Sequence, residues 1–157
     1  MKKTIIIIAI AVVCLASLMA ETHTHTITLI AKVEKTLPQF ELVSAFGRGD
    51  SVAVTTSRIA SENVRADFSI MQTNNSNFRG SVHFTVSASQ LSNGASHTTG
   101  KVIRAFGSEH DTLSFTRVYD HCQGACEVAS FSVEWMTRDD LPSGVYTGIV
   151  TLTTVID

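Results

Sequence analysis

The feature that most constrains this chain is a two-residue hydrophobic rhythm that returns along most of its length. Ile27, Leu29, Ala31 and Val33 alternate with Thr28, Ile30, Lys32 and Glu34. Phe40 and Leu42 begin a second run, and Val52 and Val54 a short third. Val64, Ala66, Phe68 and Ile70 form a fourth, and Val82, Phe84, Val86 and Ala88 a fifth. Leu113, Phe115 and Tyr119 share one parity; Ala129, Phe131, Val133 and Trp135 share another. The last run sets Tyr146, Gly148, Val150 and Leu152 against Thr147, Ile149, Thr151 and Thr153. Successive side chains of a strand point to opposite faces, so this rhythm predicts half-buried strands, not helices. Turn-forming clusters separate the runs: Gly47-Arg48-Gly49-Asp50, Asn74-Asn75-Ser76-Asn77, Ser92-Asn93-Gly94 and Pro142-Ser143-Gly144. Many short strands joined by polar turns predict an all-β sandwich. Thr and Ser crowd the outward positions, as a solvated sheet face favours.

The first twenty residues break the rhythm. Lys2 and Lys3 form a basic head, Ile5 to Met19 is apolar almost throughout, and Ala20 is small enough to precede a cut. This is the layout of a secretory signal peptide. The apolar run is shorter than the ~20 residues that a membrane span needs. The residues before Cys14, Ala11-Val12-Val13, fit a lipoprotein cleavage site poorly. The expected organisation is a signal peptide over 1–20, an N-terminal extension over 21–35 and a β-sandwich domain over 36–157.

Composition narrows the function. Charged residues are 17% of the chain, hydrophobic residues 44%, and the formal net charge is -2. Nucleic-acid binding needs concentrated Lys and Arg, so it is not expected. Loss of the signal removes Cys14 and leaves Cys122 and Cys126. An even cysteine number in an exported chain predicts one disulfide. The strands around 112–121 and 127–136 are expected to form a hairpin, with Gln123-Gly124-Ala125 as its loop and the two cysteines facing across it. A metal or redox pair is the alternative. The spacing is C-x-x-x-C, however, and no second cysteine pair exists to complete a zinc site.

Motifs for catalysis are absent. There is no G-x-S-x-G, no H-E-x-x-H and no Gly-rich phosphate loop. The expectation is a protein that is not an enzyme and uses no cofactor. His23 and His25 would share a strand face, which makes them candidate metal ligands. The plainer interpretation is polar residues in an N-terminal extension, and no metal is assigned to them. Arg48, Gly49 and Asp50 spell the tripeptide that integrins read, and mark a candidate receptor loop. The competing interpretation is a Gly-rich turn of matching composition.

Two segments carry a resemblance. One is Ile27-Thr28-Leu29-Ile30-Ala31-Lys32-Val33-Glu34; the other is Pro142-Ser143-Gly144-Val145-Tyr146-Thr147-Gly148-Ile149-Val150-Thr151-Leu152. Together they resemble fimbrial subunits of the chaperone–usher pathway, most nearly the colonisation-factor type of enterotoxigenic bacteria. The resemblance implies an immunoglobulin-like β-sandwich that is incomplete in the monomer and completed by a donor strand. Ile27, Leu29, Ala31 and Val33 would be the donor face. Tyr146, Val150 and Leu152 would mark the edge strand that accepts it. The implied partners are neighbouring pilus subunits, a periplasmic chaperone, an outer-membrane usher and a host cell-surface receptor. The implied route is export through the periplasm to a fimbrium on the bacterial surface. The alternative is a self-contained exported β-sandwich that binds a host receptor or a metal.

Overall fold

The computed structural model describes residues 36–57, 63–120, 124–138 and 140–157. The first run of alternation, Ile27 to Val33, lies outside them, as do His23, His25 and Cys122. The described residues form ten strands and no helix. They are β1 (Phe40–Ser44), β2 (Gly47–Gly49), β3 (Ser51–Thr56), β4 (Val64–Gln72) and β5 (Gly80–Ala88). β6 (Gly100–Ala105), β7 (Ser108–His110), β8 (Leu113–Tyr119), β9 (Cys126–Met136) and β10 (Tyr146–Ile156) follow.

These strands make two antiparallel sheets. The first has six strands in the order β2-β1-β4-β9-β6-β7, and the second has four in the order β3-β10-β5-β8. The alternation read from sequence decides which side chains meet between them. Leu42, Ile70, Val133 and Trp135 come from the first sheet, and Val54, Phe84, Val86, Tyr146 and Val150 from the second. All of these are fully buried. Ring contacts tie the layers: Phe40 of β1 meets Phe84 of β5 edge-on at 4.8 Å between centroids. This is the layout of a β-sandwich.

Trp135, one residue from the end of β9, is the largest fully buried side chain. Its side chain is fully buried, and Nε1–H donates to the Ser89 carbonyl at 2.7 Å. The indole therefore fixes the start of the segment 89–92, which runs beside β10. Ser92 and Thr147 exchange backbone hydrogen bonds of 3.0 and 2.9 Å, and Ile149 donates to Ser89 Oγ at 2.8 Å. Leu91 then lies directly over Gly148. A Cβ on Gly148 would stand 2.9 Å from Leu91 Cδ2 and 3.2 Å from the Gln90 carbonyl. Gly148→Val raises strand propensity, yet overpacking outweighs it. We expect about 1–3 kcal/mol of lost stability, measurable as a lower denaturant midpoint with unchanged slope.

Two expectations need correction. β8 and β9 do not form a hairpin. β8 pairs with β5, whereas β9 lies between β4 and β6 in the other sheet. β9 buries Phe131, Ser132 and Val133 in succession, the mark of a strand flanked on both sides. Its long pairing with β4 outweighs the short-range hairpin that chain proximity favours. The second correction concerns β10, which is not an edge strand. It pairs with β3 over Tyr146–Thr151 and with β5 over Val150–Ile156.

The polar turn at 74–77 has a structural task. Asn74 Oδ1 accepts from the Gln39 amide at 2.8 Å, and Asn74 Nδ2 donates to the Leu37 carbonyl at 3.0 Å. Ser76 Oγ donates to the Thr36 carbonyl at 2.7 Å. These bonds anchor residues 36–39 before β1 begins.

Candidate functional site

The expected acceptor residues Tyr146, Val150 and Leu152 are buried on β10. The upper half of that strand is enclosed. β3 covers one side through Thr151, and the Leu152 amide donates to the Asp50 carbonyl at 2.8 Å. Beyond Leu152 the pairing with β3 ends. Among the described residues, no strand pairs with Thr153–Ile156 on the side away from β5.

The core is uncovered at the same place. Thr154 and Ile156 have the inward parity of Leu152. Their cross-strand partners on β5 are Phe84 and Val82, both fully buried. Thr154 itself is exposed, and Ile156 is only half-buried. Burial thus fades across one hydrogen-bonded step, from β5 to β10. The facing edge of β1 is open as well. β2 pairs with β1 only over Leu42–Ser44, so among the described residues no strand pairs with Phe40 and Glu41 on that side. Pro38, Phe40, Glu41, Gly49, Asp50 and Thr154 border the resulting groove of about 520 Å3. An edge with free N–H and C=O groups next to uncovered core is a template for an added strand.

The Arg48-Gly49-Asp50 tripeptide belongs to this flank. It was expected on a loop; instead Arg48 and Gly49 lie in β2, and Asp50 is the bend between β2 and β3. At that bend the chain leaves one sheet for the other. Arg48 pairs with Glu41 at 3.5 Å, so its guanidinium turns towards β1. The segment acts as a sandwich corner whose glycine, Gly49, takes a positive φ of 136° that other residues rarely adopt.

The other expected site residues are quickly placed. Cys126 opens β9, half-buried, with a free thiol in this structure; its expected partner Cys122 lies outside the described residues. The candidate histidines 23 and 25 also lie outside them. Among the described residues no group of three or more His, Cys, Asp or Glu is placed to hold a metal ion.

A second concave feature lies on the outer face of the six-stranded sheet, and the sequence reading did not find it. Asp67 of β4, Ser132 of β9 and Arg104 of β6 stand side by side in register. Ser69 and Ser130 form the next row. Arg104 Nε donates to Glu134 Oε2 at 2.8 Å, and Arg104 also pairs with Glu109. Glu134 accepts a further hydrogen bond from Asn63 Nδ2 at 2.7 Å. These bonds, Asn63 foremost and Arg104 next, hold the Glu134 carboxyl below the ordinary glutamate range. A lowered folded-state pKa contributes stability at pH above the unfolded value. That contribution is lost as pH falls through the folded value. Glu134→Gln is therefore expected to flatten the acid side of a melting-temperature profile while leaving the alkaline side parallel to the parent.

The β6–β7 turn overhangs this face. Phe106 and Gly107 occupy its two central positions at φ 52° and 75°, as a type I′ turn requires. Asn-Gly is the favoured pair there. A phenylalanine in this region costs about 1–2 kcal/mol, and it is 66% exposed. The tripeptide Ala-Phe-Gly also occurs at 45–47. There the chain turns at Ala45-Phe46, and Phe46 does not have a positive φ. The repeat was a legible signal for two hairpin tips, but not for the strain at one of them.

Comparison with known proteins adds no assignment: no family model, no curated protein and no solved structure matches this chain.

Proposed function

We propose that this chain is a structural or adhesive subunit of a bacterial surface fibre, joined to its neighbours by strand donation. In this view the sandwich is immunoglobulin-like and lacks one strand. A segment from another chain completes it by pairing along Thr153–Ile156 of β10. One observation carries the reading: the stretch of β10 that, among the described residues, is paired only on the β5 side coincides with the place where the core stops being covered. The resemblance of the two terminal segments to chaperone–usher subunits supports it independently.

The donor would be residues 26–34 of a neighbouring copy, with Ile27, Leu29, Ala31 and Val33 facing inward. A periplasmic chaperone would fill the groove first, and an outer-membrane usher would exchange it. Burying an Ile, Leu or Val side chain contributes about 1.5–3 kcal/mol, an upper bound when compact unfolded states are considered. Several such side chains and the added backbone hydrogen bonds suffice to drive assembly without ATP. The open part of β10 spans four residues, about 14 Å at roughly 3.4 Å per residue. The donor face spans seven residues, so its central anchors, Leu29 and Ala31, would sit deepest.

A second reading is a self-contained exported binding module. The six-residue pairing of β3 with β10 favours it, because it already encloses half of the expected acceptor strand. Size-exclusion chromatography separates the two. The mature protein is produced in a periplasm with and without residues 21–35. Strand donation predicts polymers or chaperone complexes for the full chain and loss of self-assembly after truncation. A stable monomer that unfolds on truncation would place the first strand in its own core and remove the fibre reading.

A further inference from the structure

The outer face of the four-stranded sheet carries no formal charge. Strands β3, β10, β5 and β8 contain one charged residue, Arg117. It has inward parity, opposite the fully buried Val82, and its Nη1 donates to the Val128 carbonyl at 3.3 Å. The outward positions are Ser, Thr, Ala, Val and Ile, with one histidine, His83. The six-stranded sheet is the reverse. Glu41, Arg65, Asp67, Arg104, Glu127 and Glu134 have outward parity there. We propose that the outer face of the four-stranded sheet docks against the same face of a second copy of this chain, related by a two-fold axis.

Two observations fit a face that gives up its water. Its hydroxyls bond one another across the strands: Ser51 with Thr151 at 3.3 Å, Thr55 with Thr147 at 3.3 Å and Thr85 with Ser114 at 3.1 Å. His83 Nδ1 meets Thr116 Oγ1 at 3.0 Å in the same way. A polar group that already has a partner costs less to bury than a free one. Among these pairs stand the apolar side chains of Val118, Ile149 and Val155, exposed by 70%, 49% and 51%. Covering them is favourable.

The chemistry selects the occupant. A charged partner, whether nucleic acid, acidic peptide or lipid headgroup, finds no counter-charge on this face. A two-fold contact sets a surface against itself, so a fixed charge near the axis would meet its own sign. This face has none to meet. Stacked sheets pack about 10 Å apart with their strands within about 30° of each other. Each outward side chain covers about 33 Å2, from about 4.8 Å between strands and about 6.8 Å between alternate residues. The whole face then offers about 500 Å2 of footprint per copy, or about 1,000 Å2 for the pair. That is the lower bound of a specific interface, so the contact is weak and reversible. It lies perpendicular to the edge of β10 and does not depend on a donor strand being added there.

The test is photo-crosslinking of the full mature chain at about 0.5 mM, where a weak dimer is populated. p-Benzoylphenylalanine replaces Val118 in one sample and Ile149 in another, and isotope-labelled and unlabelled copies are mixed. The expected product is a link between two copies, with both ends on β3, β5, β8 or β10. A two-fold contact is reciprocal, so if the probe at position 118 marks β10, the probe at position 149 marks β8. With the probe at 118, Thr85→Lys and Ile149→Lys are each expected to lower the yield about tenfold, because a buried ammonium is left unpaired. Asp67→Lys, on the other sheet, should leave it unchanged. Substitutions at such outward positions rarely unfold a sheet, and circular dichroism checks each variant. The link should persist in Leu29→Asp, where strand donation is blocked. Its loss there would assign the contact to the fibre joint and overturn the proposal. Links confined to one copy, links to the six-stranded sheet, a one-way pattern, or a yield indifferent to both lysines would overturn it as well.

Discussion

Leu29→Asp is expected to abolish self-assembly while leaving the sandwich of residues 36–157 folded. In the donor-strand reading, Leu29 is a central anchor and enters the core of the next subunit beside Thr154 and Ile156. An unpaired carboxylate there must be desolvated or protonated. Either route costs several kcal/mol, and about 3 kcal/mol already weakens association more than a hundredfold. The backbone of the donor is unchanged, so the loss would come from one side chain. The check is size-exclusion chromatography of the variant, with circular dichroism to confirm the sandwich. A decisive control supplies the variant with an intact donor peptide covering residues 21–35. Rescue of a folded, peptide-bound subunit supports donation between chains. A variant that fails to fold even then places residues 26–34 in their own core.

The second large effect is expected at Trp135. Trp135→Ala removes the largest fully buried side chain, and large-to-small core changes of this kind cost about 3–5 kcal/mol. It also leaves the Ser89 carbonyl without its indole donor, while the bonds of Ser89 and Ser92 to β10 remain. Small domains have only about 5–15 kcal/mol to lose, so the variant should be largely unfolded at moderate urea. Trp135→Phe keeps most of the packing and loses the hydrogen bond, and should cost about 1–2 kcal/mol. The chain has a single Trp, so unfolding of these variants is followed by circular dichroism, not by indole fluorescence. If Trp135→Ala cost less than about 1.5 kcal/mol, the surrounding core would have closed over the vacated space.

The contrast between these residues shows what local pattern reveals. Trp135 shares its parity with Ala129, Phe131 and Val133, and this places it inside without any knowledge of the fold. The same rule reads β4, β5 and β10 with their inward faces correct. It misses β6, where Val102 and Ile103 are both buried on opposite faces, so the rhythm of two disappears. It also reads Ser132 as a solvated position, because a serine at outward parity normally is one. Only the neighbouring strands make it 95% buried.

The misplaced hairpin has a related cause. Sequence distance brings β8 and β9 together, and nothing local opposes their pairing. The cost of splitting them is a short connection between sheets. The gain is the nine-residue partnership of β9 with β4, which no local window contains. The serine-floored trough was illegible for the same reason. Asp67, Arg104 and Ser132 come from three strands that are far apart in the chain.

The amino-acid sequence by itself determined β1, β3 to β5 and β8 to β10 and the faces they bury, because side-chain parity acts over a few residues. The tertiary structure alone decided strand order, the enclosed upper half and open lower half of β10, and the trough across the outer face. Those depend on register between distant segments, and register is chosen by the packing of the whole core.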